Sequence, residues 1–182
     1  MSETEAPKKR RGWVTALRYT IGLGLALFLL WVLSLFVRGE LIAVEVGGGS
    51  MEPTLQAHDR VLARAIRPTE PIQRGDLVIV ESPDDNGPDM IKRVVAIPGD
   101  TVQFRRQILL VNGEPSPPPG EAQSIHPEAP EITYELGPRE YFVLGDNRGT
   151  SHDSEQFGPL DRDYVHSRVL YRYGPWSQRG RL

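Results

Sequence analysis

An uncharged apolar stretch near the N-terminus constrains this chain more than any other feature. Residues 19–37 read YTIGLGLALFLLWVLSLFV and contain no charged side chain. As an α-helix, a stretch of this length would rise about 28 Å, close to the roughly 30 Å thickness of a bilayer's hydrocarbon core. We therefore predict a transmembrane helix over 19–37, between a short basic tail at 1–18 and a large body at 38–182.

The charges on either side of this stretch predict its orientation. The tail holds five basic and two acidic residues, whereas the body holds 16 basic and 22 acidic residues. By the positive-inside rule, the tail is cytoplasmic and the body lies outside the cell membrane, which the chain crosses once. The alternative is a cleaved signal peptide, whose apolar region would run only about 7–15 residues and end near a small-x-small site. Here the apolar run is longer and is followed by Val37-Arg38-Gly39-Glu40, which favours an uncleaved anchor.

The body at 38–182 is predicted to be mainly β. Short apolar or β-branched runs alternate with turn residues, and no run of 12 or more residues shows helical periodicity. Asn112-Gly113 predicts a hairpin turn, and Pro98-Gly99-Asp100 separates two strands. An antiparallel β-sheet or barrel-like domain follows. The predicted strands cover 41–46, 60–65, 76–80, 90–97, 101–104, 108–111, 132–136, 141–144 and 165–173.

Residues 112–138 differ in composition from the rest of the body. They hold seven of the 16 prolines and five glutamates, and neither lysine nor arginine. This composition predicts a solvated loop or a long excursion between strands, with a functional lid as the alternative.

The composition also excludes several kinds of chemistry. The chain has no cysteine, so disulfides, Cys-ligated zinc, iron–sulfur clusters and thiol catalysis are excluded. Its four histidines show no metal-ligand spacing. The formal net charge of −3 gives no reason to expect nucleic acid as a partner.

Two stretches hold a candidate nucleophile and a candidate base. Three glycines at 47–49 precede Ser50, and such a backbone offers close approach and free N–H groups beside a nucleophile. A plain linker is the alternative. Lys92 is the single lysine of the body, beside 15 arginines. Because lysine can lose its proton when it is desolvated and arginine cannot, Lys92 is a candidate base, with biased codon usage as the alternative.

A third stretch, at 145–154, follows a predicted strand and is dense in small, polar and charged residues. A triad of Ser50, His152 and an aspartate therefore has to be weighed against a Ser50–Lys92 dyad. His152 and Asp153 are neighbours in the sequence, which makes a pair of base and orienting acid awkward. The dyad is favoured.

Taken together, these stretches resemble the boxes of bacterial type I signal peptidases, in the same order and behind the same kind of anchor. The resemblance covers most of the chain except the tail and the proline-rich region. The boxes are Ser50-Met51-Glu52-Pro53-Thr54-Leu55, Asp59-Arg60-Val61-Leu62, Lys92-Arg93-Val94-Val95-Ala96-Ile97-Pro98-Gly99-Asp100 and Gly145-Asp146-Asn147-Arg148, with Ser151, Asp153 and Ser154 after the last.

The resemblance implies a role for each of these positions. Ser50 would be the nucleophile and its backbone N–H an oxyanion donor, Lys92 would be the general base, and Ser151 would orient the lysine. Some members add a hydroxyl two residues before the nucleophile, where this chain has Gly48. The supporting positions are Gly145, the ion pair of Asp146 with Arg93, and the structural acid Asp153.

This chain departs from the family pattern just after Asp153. The family usually continues Asp-Ser-Arg, whereas this chain has Ser154-Glu155. The partner of Asp153 is therefore open, and Arg148 is a candidate.

Apolar neighbours such as Ile91 and Val94 are expected to desolvate Lys92.

The implied substrates are secretory preproteins, cut after a small-x-small site and bound as an added strand. Residues 42–46 and 89–92 are the candidate edges for that strand. The lipid bilayer is the other expected partner, no metal or organic cofactor is required, and nothing in the sequence points beyond a monomer. Met51 and Leu55 are expected either near the lipid surface or in the core.

Two other functions stay open. One is a dedicated Ser–Lys peptidase that matures a conjugative-transfer or pilus substrate. The other is an anchored β scaffold without activity, against which the presence of both Ser50 and Lys92 argues. A soluble self-cleaving repressor is excluded by the apolar stretch and by the lack of a DNA-binding helical domain.

Overall fold

The computed structural model of the protein describes residues 10–38, 40–84, 87–105, 108–116, 132–175, 177 and 179–182. It divides into two compact units, Met1–Glu40 and Leu41–Leu182. Most of the proline-rich region falls outside the described residues, so its predicted loop or lid stays a prediction.

The first unit contains one long helix, α1, which covers Arg10–Val37. Within it, Gly12–Val37 is long and apolar enough to cross a membrane. Large apolar side chains such as Leu25, Phe28 and Trp31 are exposed along it. A helix that exposes this much apolar surface is suited to a lipid environment, which fits a membrane-anchored protein.

The second unit is built from antiparallel strands in two sheets. The large sheet has the order β1-β2-β11-β3-β4-β9-β10, with β12 paired to β11, and the small sheet has the order β7-β6-β5-β8. The strands are β1 Leu41–Glu45, β2 Arg60–Ala65, β3 Leu77–Val80, β4 Met90–Ala96, β5 Thr101–Arg105, β6 Ile108–Val111, β7 Glu114–Pro115, β8 Ile132–Glu135, β9 Glu140–Leu144, β10 Leu160–Asp161, β11 Val165–Gly174 and β12 Gly180–Arg181. A one-turn helix, α2, covers Ser154–Phe157, and a 3₁₀ turn covers Arg162–Tyr164.

The mainly β prediction is confirmed, and each predicted strand is present to within one residue at either end. The turn at Asn112-Gly113 is also confirmed: both residues have positive φ, 54° and 83°, as a tight hairpin requires. It joins β6 to β7, where Val111 pairs with Glu114. The two-residue strands β7, β10 and β12 were not predicted, because two residues are too few to show alternation.

The core of this unit covers both faces of the large sheet. Every residue of β3 is buried, and its side chains alternate between two clusters. Val78 and Val80 belong to a cluster with Val94 of β4. Leu77 and Ile79 belong to another cluster, which includes residues of β2 and of the connection before it.

A third cluster joins the large sheet to the small one. Phe142 of β9 is its largest fully buried side chain. The ring of Phe142 lies 5.8 Å from that of Phe104 and 5.5 Å from that of Tyr134, measured between centroids. Because those two residues lie on β5 and β8 of the small sheet, this aromatic contact packs the two sheets together.

The aromatic contact yields a stability prediction. Phe142→Ala leaves a large cavity between the sheets, and we expect a loss of about 3–5 kcal/mol in the free energy of unfolding. Denaturant titration of the full chain in detergent micelles measures it. Ile108→Ala, at a side chain that is 53% exposed, is the control and should change the free energy by less than about 1 kcal/mol. Similar losses for both variants would contradict the packing described.

Candidate active site

Ser50 lies in the connection between β1 and β2, which two buried apolar side chains hold in place. Met51 and Leu55 are almost fully buried, and the Leu55 N–H donates to the Met51 carbonyl over 2.9 Å. The Glu52 N–H donates to the Gly49 carbonyl over 3.1 Å, which closes the turn around Ser50. Of the two expected positions for Met51 and Leu55, the structure shows the core.

A buried aspartate fixes the same connection to the sheet. The Asp59 carboxylate accepts hydrogen bonds from the Gln56 N–H over 2.9 Å and from the Arg172 guanidinium over 3.0 Å. Arg172 also donates to the Thr54 carbonyl over 3.0 Å. Because Arg172 lies on β11 inside the large sheet, Asp59 fixes the connection after Ser50 to that sheet. This contact gives the box at 59–62 a structural role.

Lys92 lies in the middle of β4 with its side chain in the core. It pairs with Val78 of β3, so the two side chains lie on the same side of the sheet. Val94, two residues further along β4, lies on that side too. Lys92 is only 2% exposed. Ile91 points to the other face, where it packs against another cluster, so the expectation that it desolvates Lys92 is wrong.

The amine of Lys92 contacts Ser151. Lys92 Nζ donates a hydrogen bond to Ser151 Oγ over 2.7 Å, and both side chains are buried. Burial lowers the pKa of Lys92 below its ordinary value because the charged form is poorly solvated, and the negative charge of Asp153 opposes this effect. A lysine with a lowered pKa is suited to accept a proton near neutral pH.

Asp153 links Ser151 to Gly145, the residue that follows the end of β9. Its carboxylate accepts hydrogen bonds from the Gly145 N–H over 2.9 Å and from the Glu155 N–H over 3.1 Å, which caps α2. Burial raises the pKa of the Asp153 carboxyl; hydrogen bonds from the Gly145 N–H and the Ser151 hydroxyl and the charges of Lys92 and Arg148 oppose the rise. Asp153 therefore orients the Ser151 hydroxyl, which in turn contacts Lys92.

Arg93 and Asp146 form the ion pair that the resemblance implies. Arg93 Nε and Nη2 donate to the two Asp146 oxygens over 2.8 and 2.7 Å. The same guanidinium donates to the Gly75 carbonyl over 2.9 Å and approaches Thr54 Oγ1 at 3.5 Å. This two-point contact ties β4 to the loop after β9 and to the connection after Ser50.

Gly145 lies where three parts of the site meet. A Cβ on Gly145 would overlap the Ser151 side chain and the Ser50 carbonyl oxygen. The same carbonyl accepts a hydrogen bond from the Asn147 N–H over 3.0 Å. The Ser50 main chain and the Ser151 side chain therefore both pack directly against Gly145, and Ser151 in turn contacts Lys92. Only a residue without a side chain permits this approach.

Arg148 and His152 have other partners in the structure than those considered in the sequence analysis. Arg148, the candidate partner of Asp153, forms its ion pair with Glu155 and acts on Asp153 through charge. His152, the candidate base of a Ser-His-Asp triad, pairs with Asp84 at 2.9 Å, and its ring packs edge-on against Phe157. Neither pairing has a signal in the sequence, because each depends on the path of a loop.

An open cleft of about 370 Å³ lies beside Ser50. One wall is β1, with Ile42 and Val44, and the other is the start of β4, with Met90 and Ile91. β1 is the end strand of the large sheet. The pairing of β4 with β9 includes Arg93 but not the residues before it. Within the part of the chain that the structure describes, each wall thus has a stretch of backbone with no strand paired on one side. No cluster of metal-ligating side chains occurs among the residues that the structure describes.

Comparison with known proteins assigns the class and then the family. The model of the family described as signal peptidase, peptidase S26, matches residues 18–176, and the protein is therefore a serine peptidase and a hydrolase. Signal peptidase IB of Staphylococcus aureus is 30% identical over 174 residues, covering 81% of this chain and 90% of its own. Signal peptidase I of Bacillus licheniformis is 31% identical over 195 aligned positions, covering 98% of this chain and 97% of its own. The chain belongs to the bacterial type I signal peptidase family.

A crystal structure of a signal peptidase I from Enterococcus faecalis is also similar. It is 29% identical, covers 56% of this chain and 97% of the other, and has a TM-score of 0.45.

The close packing around Gly145 predicts a strong effect from one methyl group. Gly145→Ala pushes Ser151 and the Ser50 main chain apart, and we expect peptidase activity to fall at least about 100-fold, since small misplacements of reacting groups are this costly. Turnover of a preprotein by the full chain in detergent measures it. Gly180→Ala, where a Cβ meets nothing within 4 Å, should keep full activity. Near-normal turnover of Gly145→Ala would contradict the geometry.

Proposed function

We propose that the protein removes N-terminal signal peptides from secretory preproteins, cutting after a small-x-small site, with Ser50 as nucleophile and Lys92 as general base. The observation that carries the proposal is the buried Lys92 amine, which donates a hydrogen bond to Ser151. Ser151 and the main chain of Ser50 both pack against Gly145. Family membership supports the reaction, and the cleft beside Ser50 supports the place of binding.

In this mechanism, neutral Lys92 takes the proton from Ser50 Oγ as this oxygen attacks the carbonyl carbon of the scissile bond. The Ser50 backbone N–H donates to the oxyanion that forms. Gly48 has no hydroxyl to add a second donor. Protonated Lys92 then gives its proton to the leaving amine, and the bond to the mature protein breaks. A water molecule then attacks the carbonyl carbon of the ester while passing a proton to Lys92. The bond from this carbon to Ser50 Oγ breaks, the signal peptide leaves as a carboxylic acid, and Lys92 returns the proton to Ser50 Oγ.

The substrate is proposed to bind as an extended strand between the two walls of the cleft. β1 and the segment 89–92 are the edges with which its backbone would pair. Alternate side chains of a strand point to the same side, so the two small residues of the site would both face the floor formed by Met51 and Ile79. The residue between them would point to solvent, where its size matters little.

Cleavage of a preprotein tests the reaction and both roles. The full chain in detergent is mixed with a preprotein that carries an Ala-x-Ala site, and the product is mapped by mass spectrometry. We expect a cut after the second Ala by the wild type. Ser50→Ala and Lys92→Arg should be inactive, because the first lacks the nucleophile and the second cannot give up a proton.

Appreciable turnover by Lys92→Arg would refute the dyad while leaving the reaction in place. Failure of the wild type to cut several preproteins in the presence of lipid would refute general signal peptide removal. Cleavage of a single pilus or conjugative-transfer substrate would then indicate a dedicated maturation peptidase.

We also propose that α1 anchors the chain in the cell membrane with the N-terminus in the cytoplasm and the active site outside. The basic residues before the apolar run support this orientation. In intact cells, an alkaline phosphatase reporter fused after Leu182 should be active, since it folds only outside the cytoplasm. A reporter that is active only in the cytoplasm would overturn the orientation.

A further inference from the structure

Two oppositely charged and largely buried side chains lie in the segment that carries Ser151. Arg148 and Glu155 form an ion pair, with side chains only 6% and 15% exposed. Ser151 and Asp153 lie between them in the sequence. Charged side chains that are withdrawn from solvent destabilise a protein unless they are paired. A charged pair at this position therefore suggests a role in the site.

The two paired residues are linked to the network of Lys92 at Asp153, Glu155 through its backbone and Arg148 through its charge. The Glu155 N–H donates to Asp153 Oδ1 over 3.1 Å, and the charge of Arg148 stabilises the ionised form of Asp153. Asp153 also accepts the Ser151 hydroxyl, whose oxygen accepts the hydrogen bond from Lys92. A series of hydrogen bonds thus runs from the Glu155 backbone through Asp153 and Ser151 to the amine, and Arg148 acts on this series through its charge.

We propose that Arg148 and Glu155 are positioning residues for Lys92: Glu155 holds the Arg148 guanidinium beside Asp153, and Arg148 offsets the charge of this carboxylate when Lys92 is neutral. The inference rests on the proposed role of Lys92 as the base. It also accounts for the acidic residue that this chain has where the family usually has arginine.

The argument follows from the charges in the two states of Lys92. When the amine is protonated, it balances the Asp153 carboxylate. When the amine is neutral, as a base must be, the buried carboxylate would keep an uncompensated negative charge, which is strongly unfavourable in a low-dielectric site. With Lys92 neutral, the cation of Arg148 lowers the net charge of the two carboxylates, Asp153 and Glu155, from −2 to −1. With Lys92 protonated, Glu155 brings the charge of the four groups to zero, so that Arg148 is not an uncompensated cation.

The other charged groups near this network have partners of their own. Asp146 is paired with Arg93. His152, which lies between Ser151 and Asp153 in the sequence, is half-exposed and pairs with Asp84. The experiment includes a His152 variant, so that the contribution of this side chain is separated from that of Lys92.

The test is the pH profile of kcat/KM for preprotein cleavage by the full chain in detergent. The acidic limb reports deprotonation of the base. Arg148→Gln removes one positive charge near Lys92, which makes the protonated amine more favourable. We therefore expect the acidic limb to move to higher pH by roughly half a unit to one unit. Glu155→Gln removes one negative charge and should move the limb to lower pH by a similar amount. In the double variant the two shifts should largely cancel.

Three controls separate charge from structure. Asp163→Asn removes a carboxylate that pairs with Arg139 at the surface and should leave the limb in place, as should His152→Gln. Arg148→Lys keeps the positive charge and should restore the limb that Arg148→Gln moves. If Arg148→Gln does not fold, Glu155→Gln decides alone, because its backbone bond to Asp153 is kept.

Limbs that stay in place, or that move in the same direction in both single variants, would overturn the proposal and leave the pair a structural role. A limb that disappears in His152→Gln would also overturn it. Absence of cleavage by the wild type at every pH would instead refute the proposed function, so the two failures are distinguishable.

Discussion

Burial of a single lysine is the constraint on which the rest of this site depends. Lys92 lies in a row of valines on the central strands of the large sheet, and its amine reaches one serine hydroxyl. An ammonium group in such a place loses most of its hydration, so the fold itself weakens its hold on the proton. Arginine in the same place would stay charged. The chemistry proposed for the protein therefore originates in the packing of the sheet.

The residues around Lys92 hold β4, the loop after β9 and the connection that carries Ser50 in fixed positions. Arg93 is the neighbour of Lys92 on β4 and points to the other face, where Asp146 holds it at two points. One strand thus presents a buried amine on one side and an anchoring cation on the other. Asp146 is followed by the loop that carries Ser151, and Gly145 before it lets that loop approach Ser50. These contacts join segments that are far apart in the sequence.

Strands and turns were predictable because their signals are local. The runs at 60–65 and 108–111 match β2 and β6 residue for residue, and Asn112-Gly113 specifies its turn through two positive φ angles. The neighbours of Lys92 were less predictable: strand alternation assigns Ile91 to the opposite face, which the apolar run alone did not reveal. The pairing of Arg148 with Glu155 depends on the path of a loop and on the capping of α2 by Asp153, neither of which has a periodic signal. The resemblance supplied the site residues, and the structure supplied their contacts.

The most direct measurement is the titration of Lys92 itself. The chain has three lysines, Lys8, Lys9 and Lys92, so ¹⁵N-lysine labelling of the full chain in detergent micelles gives three side-chain nitrogen signals. The signal missing from Lys92→Arg identifies the residue. We predict that the Lys92 signal titrates below the ordinary lysine pKa of about 10.4, because burial disfavours the charged amine. A Lys92 signal that titrates at or above that value would contradict a neutral buried base.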